Sequence, residues 1–241
     1  MDSFTHLNAE VTACRKCPRL VAYREDVARA KVRRYRDEEY WGKPIPGFGD
    51  PEAGLLIVGL APAAHGGNRT GRIFTGDRSG DFLFAALHRS GFANQPSSRQ
   101  RDDGLRLMDC YITAAARCAP PQNQPTPAEL TTCRPYLVEE LHLLHRARVV
   151  VALGRIAFEA FLRAWVEAGG RLPATRPRFG HGLMTELPGG VRLLASYHPS
   201  QQNTQTGRLT PGMFGRIFAR ARRFLAAPTT APPPVGGRRK G

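Results

Sequence analysis

The sequence predicts an α/β fold, with a parallel sheet covered by helices on both faces. A short apolar segment followed by a segment with helical spacing occurs four times along the chain, and this alternation is typical of parallel sheets. The length of 241 residues suits one domain with a buried core, and we place that domain at residues 1–227. The predicted strands cover residues 55–58, 108–114, 148–153 and 192–195.

The first predicted strand leads into a loop that is rich in glycine. Leu55–Val58 is an apolar run with the length of a strand buried on both faces. Residues 59–80 then contain six glycines and Pro62, a density that predicts tight turns and neither helix nor strand. Because open α/β sheets bind ligands at the carboxyl ends of their strands, we expect the functional site in this loop.

Helix boundaries follow from capping signals. The segment 126–129, Thr-Pro-Ala-Glu, is a capping box with proline at the first helical position. Ser79 or Gly80 is the expected cap of an earlier helix that ends at Gly91. Predicted helices cover about residues 20–32, 81–88, a segment opening at 126, a segment from 154 to 167, and 213–225.

The charge of the chain indicates a polyanionic partner. Lys and Arg number 35 against 20 Asp and Glu, giving a formal net charge of +15, and basic side chains neutralise phosphates. No stretch approaches eighteen apolar residues, and residues 1–17 lack the apolar core of a secretory signal. We therefore expect a cytoplasmic protein without a membrane segment. Residues 228–241 are Pro-, Gly- and Arg-rich and predict a disordered basic tail.

Four cysteines have the spacing of a ligand set. Cys14 and Cys17 form C-x-x-C, and fourteen residues separate Cys118 from Cys133. Four thiolates suit zinc or an iron–sulfur cluster, and their spacing alone does not distinguish the two. Cys110 falls inside a predicted strand, where a small buried side chain is the simpler interpretation.

Three motifs resemble the iron–sulfur uracil-DNA glycosylases, and specifically the broad-specificity branch called family 5 or type B. They are GLAPAAHGGNRTGRIFTGD at 59–77, YITAAARCAPPQNQP at 111–125 and HPSQQN at 198–203. The resemblance covers about residues 14–224. It implies a three-layer α/β/α fold with a four-stranded parallel sheet, a [4Fe–4S] cluster on the four cysteines, and removal of damaged bases from DNA.

The sequence departs from the related family 4 pattern at two positions. Leu60 stands where that family has an acidic residue, and Ala114 stands where it has an asparagine after Y-I-T. By resemblance, the type B branch shares both changes and accepts uracil, related damaged pyrimidines and hypoxanthine. The loss of one hydrogen-bonding contact to the base edge relaxes the discrimination between bases. We therefore expect broad specificity.

The resemblance also implies roles for individual residues. Asp77 would stabilise the sugar cation or orient water, Asn123 would position water, and His198 would donate to the departing base. The alternatives are an acid at a helix N-terminus before Ser79 for Asp77, with Asp81 as the helix cap, and a turn role for Asn123. Substrate contacts are expected from backbone and side-chain groups of Gly59, Leu60, Ala61, Ala64, His65, Phe74, Ala114, Ser200, Asn203 and Arg208.

The expected partner is double-stranded DNA with damaged bases, single-stranded DNA being a second option, and the expected state is a nucleoid-associated monomer. Two other functions compete with this interpretation. A zinc-bearing nucleic-acid binding protein without catalysis would explain the cysteines and the charge, but not the glycine-rich loop. A phosphate-handling α/β enzyme would need a G-x-x-x-x-G-K-[ST] or G-x-G-x-x-G loop, and neither follows the first strand.

Overall fold

A six-stranded sheet forms the centre of the computed structural model, which describes residues 3–227. The strands are β1 (Phe48–Gly49), β2 (Leu55–Gly59), β3 (Cys110–Ala114), β4 (Val149–Leu153), β5 (Met184–Glu186) and β6 (Arg192–Ser196). Their order across the sheet is β1-β3-β2-β4-β6-β5. The four central strands are parallel, and β1 and β5 pair antiparallel at the two edges. The predicted α/β class is confirmed, and the four predicted strands are its parallel centre.

Helices cover both faces of this sheet. They are α1 (Ser3–Ala13), α2 (Pro18–Ala30), α3 (Gly67–Thr70), α4 (Arg78–Arg89), α5 (Pro127–Leu143), α6 (Arg155–Glu167), α7 (Gln201–Gln205) and α8 (Pro211–Ala226). Side chains of α4 and α8 form one apolar core with alternate strand residues, and side chains of α1, α5 and α6 form a second core with the others. Strands buried on both faces explain why β2, β3 and β4 are almost wholly apolar.

The strand order places a crevice at the carboxyl edge of the sheet. The chain passes from β2 to β3 on one side and then crosses to β4 on the other side of β2. At such a reversal the loops after neighbouring strands diverge and leave space for a ligand. The loop after β2, which the sequence singles out, begins at this point.

Several local predictions are confirmed and others are wrong. The capping box at Thr126 and Glu129 is present at the start of α5. Asp77 caps α4, because its carboxylate accepts a hydrogen bond from the Gly80 amide, and the predictions of Ser79, Gly80 or Asp81 as the cap are wrong. The glycine-rich loop contains a four-residue helix, α3, so the prediction of no helix there is wrong. Helix α1 was not predicted, although its buried residues recur at helical spacing.

Within residues 3–227, no helix is long and apolar enough to cross a membrane. The basic tail predicted from Pro228 onward lies outside the described residues.

Candidate active site

A cleft of about 800 Å³ opens at the carboxyl edge of the sheet. Its walls come from the loops after three parallel strands: Leu60 and Ala61 after β2, Gly154 after β4, and His198 after β6. Asp77 also lines this cleft. The crevice expected from the strand order therefore contains the acid and the histidine of two separate sequence motifs.

Asp77 lies at the start of α4 with its two carboxylate oxygens in different environments. Oδ1 accepts a hydrogen bond of 2.9 Å from the backbone N–H of Gly80. A β-carbon at Gly66 would collide with Oδ2, so that oxygen lies against the backbone of the glycine-rich loop. Burial raises the pKa of Asp77, and hydrogen bonds from the amides of Gly80 and Ser79 oppose the rise. Helix capping thus fixes the carboxylate in the wall of the cleft.

Phe74 forms an aromatic wall of the cleft in an unusual backbone conformation. Its φ of 53° is in the left-handed region, which is costly for an aromatic residue. Two glycines make room for it: a β-carbon at Gly59 would lie 2.8 Å from the ring, and one at Gly80 would collide with the Phe74 carbonyl oxygen. The glycines at the two ends of the glycine-rich loop, residues 59–80, therefore leave room for one aromatic ring against the cleft.

His198 lies beside Phe74, with 6.0 Å between the ring centroids and 31° between the planes. Burial lowers the pKa of His198 to about 4, so its imidazole is neutral at physiological pH. A neutral imidazole still carries one N–H donor. The backbone around the ring is fixed, because Asn203 Nδ2 donates to the His198 carbonyl at 2.8 Å and Tyr197 N donates to His181 Nδ1 at 3.2 Å.

Asn123 lies at the mouth of the cleft, next to Gln122. Both residues have left-handed φ angles, 54° for Gln122 and 56° for Asn123, and both side chains are exposed. The turn between Pro121 and Pro125 is therefore present, as the turn interpretation of Asn123 predicts. The same turn also brings its amide to the cleft that contains Asp77.

The other predicted contact residues divide into three groups. Leu60, Ala61, Ser200, Asn203 and Arg208 line the cleft with Asp77 and His198, whereas Ala64 and His65 line a second cleft that adjoins it. Gly59 and Ala114 line neither cleft: they pair across β2 and β3, and Ala114 is buried in the apolar core that also includes Phe74. The predicted contact between Ala114 and a ligand therefore has no support from this placement.

Several residues of the cleft wall were not predicted from the sequence. Tyr197, Phe179 and Ile156 line it, and Ile156 is exposed although it is large and apolar. Only Tyr197 had a signal in the sequence, since it directly precedes His198. The wall of the cleft is therefore more apolar and aromatic than its motifs indicate, as suits a planar ligand.

The four predicted cysteine ligands converge on one small cavity between α2, α5 and the segment after β3. Cys14, Cys17, Cys118 and Cys133 all line it, whereas Cys110 is buried in the core on another part of the sheet. Burial raises the pKa of Cys118 to about 11 and that of Cys133 to about 12, so ligation would have to displace their protons.

Two buried arginines adjoin the cysteine cavity, and sequence reasoning missed both. Arg24 Nη1 donates to Cys118 Sγ at 3.1 Å, and the backbone N–H of Arg117 donates to Cys133 Sγ at 3.3 Å. The Arg117 side chain forms an ion pair with buried Glu140, yet Arg117 Nη1 and Arg24 Nε have no hydrogen-bond partner among the described residues. Unpartnered cationic donors beside four thiols suit an anionic group held by thiolates.

Four cysteines around one cavity are a donor set that either an iron–sulfur cluster or a zinc ion would take. Within residues 3–227 no group of three or more His, Cys, Asp and Glu side chains is arranged to hold a metal ion. All four thiols nevertheless surround the same cavity. A polynuclear cluster needs thiolates around its periphery, while tetrahedral zinc needs all four within bonding distance of one atom.

The fold and the cleft together define a class: an α/β protein whose cleft at the carboxyl edge of the sheet is lined by a carboxylate, a neutral imidazole and an aromatic ring. Residues 46–222 match the family model described as the uracil DNA glycosylase superfamily. The chain belongs to this superfamily.

The chain is more similar to type-5 than to type-4 uracil-DNA glycosylases. The chain is 55% identical over 223 residues to the type-5 uracil-DNA glycosylase of Mycobacterium tuberculosis, covering 92% of this chain and 82% of that protein. It is 56% identical over 214 residues to the type-5 enzyme of Thermus thermophilus, covering 89% and 94%. Identity to the type-4 enzyme of Pyrobaculum aerophilum is 30% over 163 residues, covering 67% and 74%. The resemblance inferred from the three motifs is confirmed.

Proposed function

We propose that this chain is a DNA glycosylase that hydrolyses the N-glycosidic bond of uracil, and of other deaminated or damaged bases including hypoxanthine, in DNA. The removal of uracil has the support of the superfamily match and of the type-5 relatives. The observation that carries the proposal is that Asp77, His198 and the Phe74 ring line one cleft. A non-catalytic zinc protein, the competing interpretation, gains no support from this arrangement.

Breaking an N-glycosidic bond produces positive charge on the sugar and negative charge on the base. Rate enhancement requires groups that are already oriented toward both charges before the bond breaks. In the cleft, a carboxylate and an N–H donor are held by backbone hydrogen bonds on separate loops. Each can act on a different end of the same bond.

Asp77 acts at the sugar. Its Oδ2 stabilises the developing cation or accepts a proton from the attacking water, while Oδ1 remains bound to the Gly80 amide. A carboxylate whose pKa is raised by burial is a stronger base than one in water, which suits proton acceptance near neutral pH. Asn123, at the mouth of the same cleft, supplies an amide that positions this water.

His198 acts at the base. A neutral imidazole donates its N–H to a carbonyl oxygen of the base, and this bond strengthens as negative charge develops there. Because burial holds the pKa of His198 at about 4, the ring remains neutral and donates without becoming a general acid. Phe74 provides the stacking surface for a base that has left the helix, as base-excising enzymes require.

The apolar wall of the cleft supports broad specificity. Leu60 lines the cleft where the family 4 enzymes have an acidic residue, and Ala114, buried in the core around Phe74, supplies no amide to read a base edge. A pocket that recognises a base by shape and one carbonyl contact accepts related bases within a few kcal/mol. Uracil and hypoxanthine both offer a ring carbonyl to His198.

A [4Fe–4S] cluster on Cys14, Cys17, Cys118 and Cys133 is part of the proposal, and its role is structural. The cysteines tie helix α1, helix α2 and the segment after β3 to helix α5. Arg24 and Arg117 supply the buried positive charge that such a group requires. None of the four cysteines lines the cleft with Asp77 and His198, so we assign the cluster no step in base removal.

The experiment that tests the proposal uses a labelled duplex with one deoxyuridine. After incubation with the protein, alkali cleaves the strand wherever a base has been removed, and a denaturing gel separates the product. We expect cleavage at the uracil, weaker cleavage of a matched hypoxanthine duplex, and none of a thymine duplex. An intact uracil strand would contradict the proposal.

A further inference from the structure

A second cleft of about 700 Å³ adjoins the first one, and Asp77 lines both. Asp77, Arg78 and Asn123 line both clefts, whereas Phe74 and His198 line only the first and Gly66 only the second. Asp77 Oδ2, the oxygen proposed above to act at the sugar, lies against Gly66 and so at the boundary between the two clefts. On that proposal, the sugar of a bound nucleotide lies at this boundary, with its base in the first cleft.

The second cleft carries arginine side chains without acidic partners. Arg34, Arg78 and Arg99 line it and are exposed, and none of them forms an ion pair with a carboxylate in residues 3–227. Glu38 also lines this cleft, but Arg69 pairs with it. Asp81 is the remaining acidic residue at the rim besides Asp77. Exposed arginines facing one space are suited to an anion with several oxygens.

The sequence strengthens this charge around Arg34. The segment 31–36, Lys-Val-Arg-Arg-Tyr-Arg, contains four cations in six residues, and Arg33, Arg34 and Arg36 are exposed. Arg34 lies 5.0 Å from the centroid of the Tyr35 ring, which restricts its flexible side chain. Arg99 comes from the separate loop after α4, so two distant parts of the chain place positive charge on one cleft.

We propose that the second cleft binds the phosphodiester backbone next to the extruded nucleotide, with Arg34 and Arg99 as the phosphate-binding residues. This inference rests on the proposed function and adds the position of the DNA strand. With the sugar beside Asp77, the adjoining phosphates extend into the second cleft. Phosphate contacts set the register of a protein on DNA without reading its sequence. Arg34 and Arg99 would thus place the sugar of any damaged nucleotide against Asp77.

The test compares the salt dependence of DNA binding between two double variants. The R34A/R99A protein loses both proposed contacts. The R163A/R171A control loses two exposed arginines that line neither cleft. The probe is a duplex with one 2′-fluoro-2′-deoxyuridine, whose glycosidic bond resists cleavage because fluorine disfavours the sugar cation. Affinity is measured by fluorescence anisotropy between 50 and 200 mM salt, and circular dichroism checks the fold.

Each phosphate contact contributes about 0.7 to 0.9 to the slope of log affinity against log salt concentration. We expect the slope for R34A/R99A to be shallower than the wild-type slope by about 1.4 to 1.8. Between 50 and 200 mM salt, the wild type should then lose roughly tenfold more affinity than the variant loses. The R163A/R171A control should keep the wild-type slope. R34K/R99K should also keep it, since lysine retains the charge.

An unchanged slope in R34A/R99A, or an equal change in the control, would overturn the phosphate site. Uracil release by the wild type, measured on the unmodified duplex, separates this result from failure of the proposed function. Release of uracil together with an unchanged R34A/R99A slope would contradict only the phosphate site. Absence of release together with the expected change in slope would contradict only the glycosylase activity.

Discussion

The carboxylate of Asp77 lies so close to Gly66 that no β-carbon fits between them. The absence of a side chain at Gly66 leaves room for this carboxylate. The proposed chemistry of Asp77 therefore requires a residue without a side chain at position 66.

Gly66→Ala should therefore slow base removal without unfolding the protein. The added methyl group would push Oδ2 of Asp77 away from the sugar, and a displacement of about 1 Å can cost roughly 100-fold in rate. Single-turnover cleavage of the uracil duplex measures the effect. Gly215→Ala in helix α8 is the control, because a β-carbon there meets no atom within 4 Å. Equal rates for the two variants would show that Gly66 does not fix Asp77.

His198 should remain neutral throughout the physiological range of pH. Burial disfavours the imidazolium and lowers the pKa to about 4, so protonation begins well below the value of about 6.5 for an exposed histidine. Between about pH 6.5 and 4 the unfolded chain binds this proton first, and the contribution of His198 to stability is lost as the pH falls. Nitrogen-15 spectra of labelled histidine, assigned with His198→Ala, measure the titration. A midpoint near 6.5 would contradict the neutral-donor role.

His198→Ala should impair the release of hypoxanthine more than the release of uracil. A poorer leaving base depends more on stabilisation of its negative charge, and removal of one oriented donor typically costs about 100- to 1,000-fold. Single-turnover rates on matched uracil and hypoxanthine duplexes give the two ratios. Proportional losses on both bases would place His198 away from the leaving group.

Replacing Cys118 by serine should remove the brown colour expected of a [4Fe–4S] protein and lower its thermal stability. Visible absorption and iron analysis measure the cluster, and a melting curve measures stability. Cys110→Ser is the matched control, because Cys110 is buried away from the cysteine cavity, and it should keep the colour. Colourless, active wild-type protein with one zinc per chain would contradict the cluster.

Much of the fold could be predicted because its signals are local. The parallel strands are continuous apolar runs, and the box of Thr126 and Glu129 marks the start of α5. The edge strands β1 and β5 have two and three residues, too few for any periodicity. Their formation depends on the edges of the parallel sheet and cannot be inferred from their own sequence.

The residues of the candidate site that belong to a sequence motif could be predicted. The residues that only packing brings to it could not. The motifs place Asp77 and His198 on loops that meet at one edge of the sheet. Arginine is rarely buried, so nothing in the sequence indicates that Arg24 and Arg117 lie beside the cysteines. The roles of Gly59 and Gly80 around Phe74 likewise emerge only from three-dimensional contacts.

The most direct test of the account is single-turnover release of free uracil by the wild type and by the Asp77→Asn, His198→Ala double variant. Mass spectrometry detects the base, and anisotropy confirms that both proteins bind the same duplex. We predict that the wild type releases uracil and leaves an abasic strand, while the double variant binds but is slower by at least about 1,000-fold. Equal rates of uracil release by the two proteins would contradict the assignment of the chemistry to this cleft.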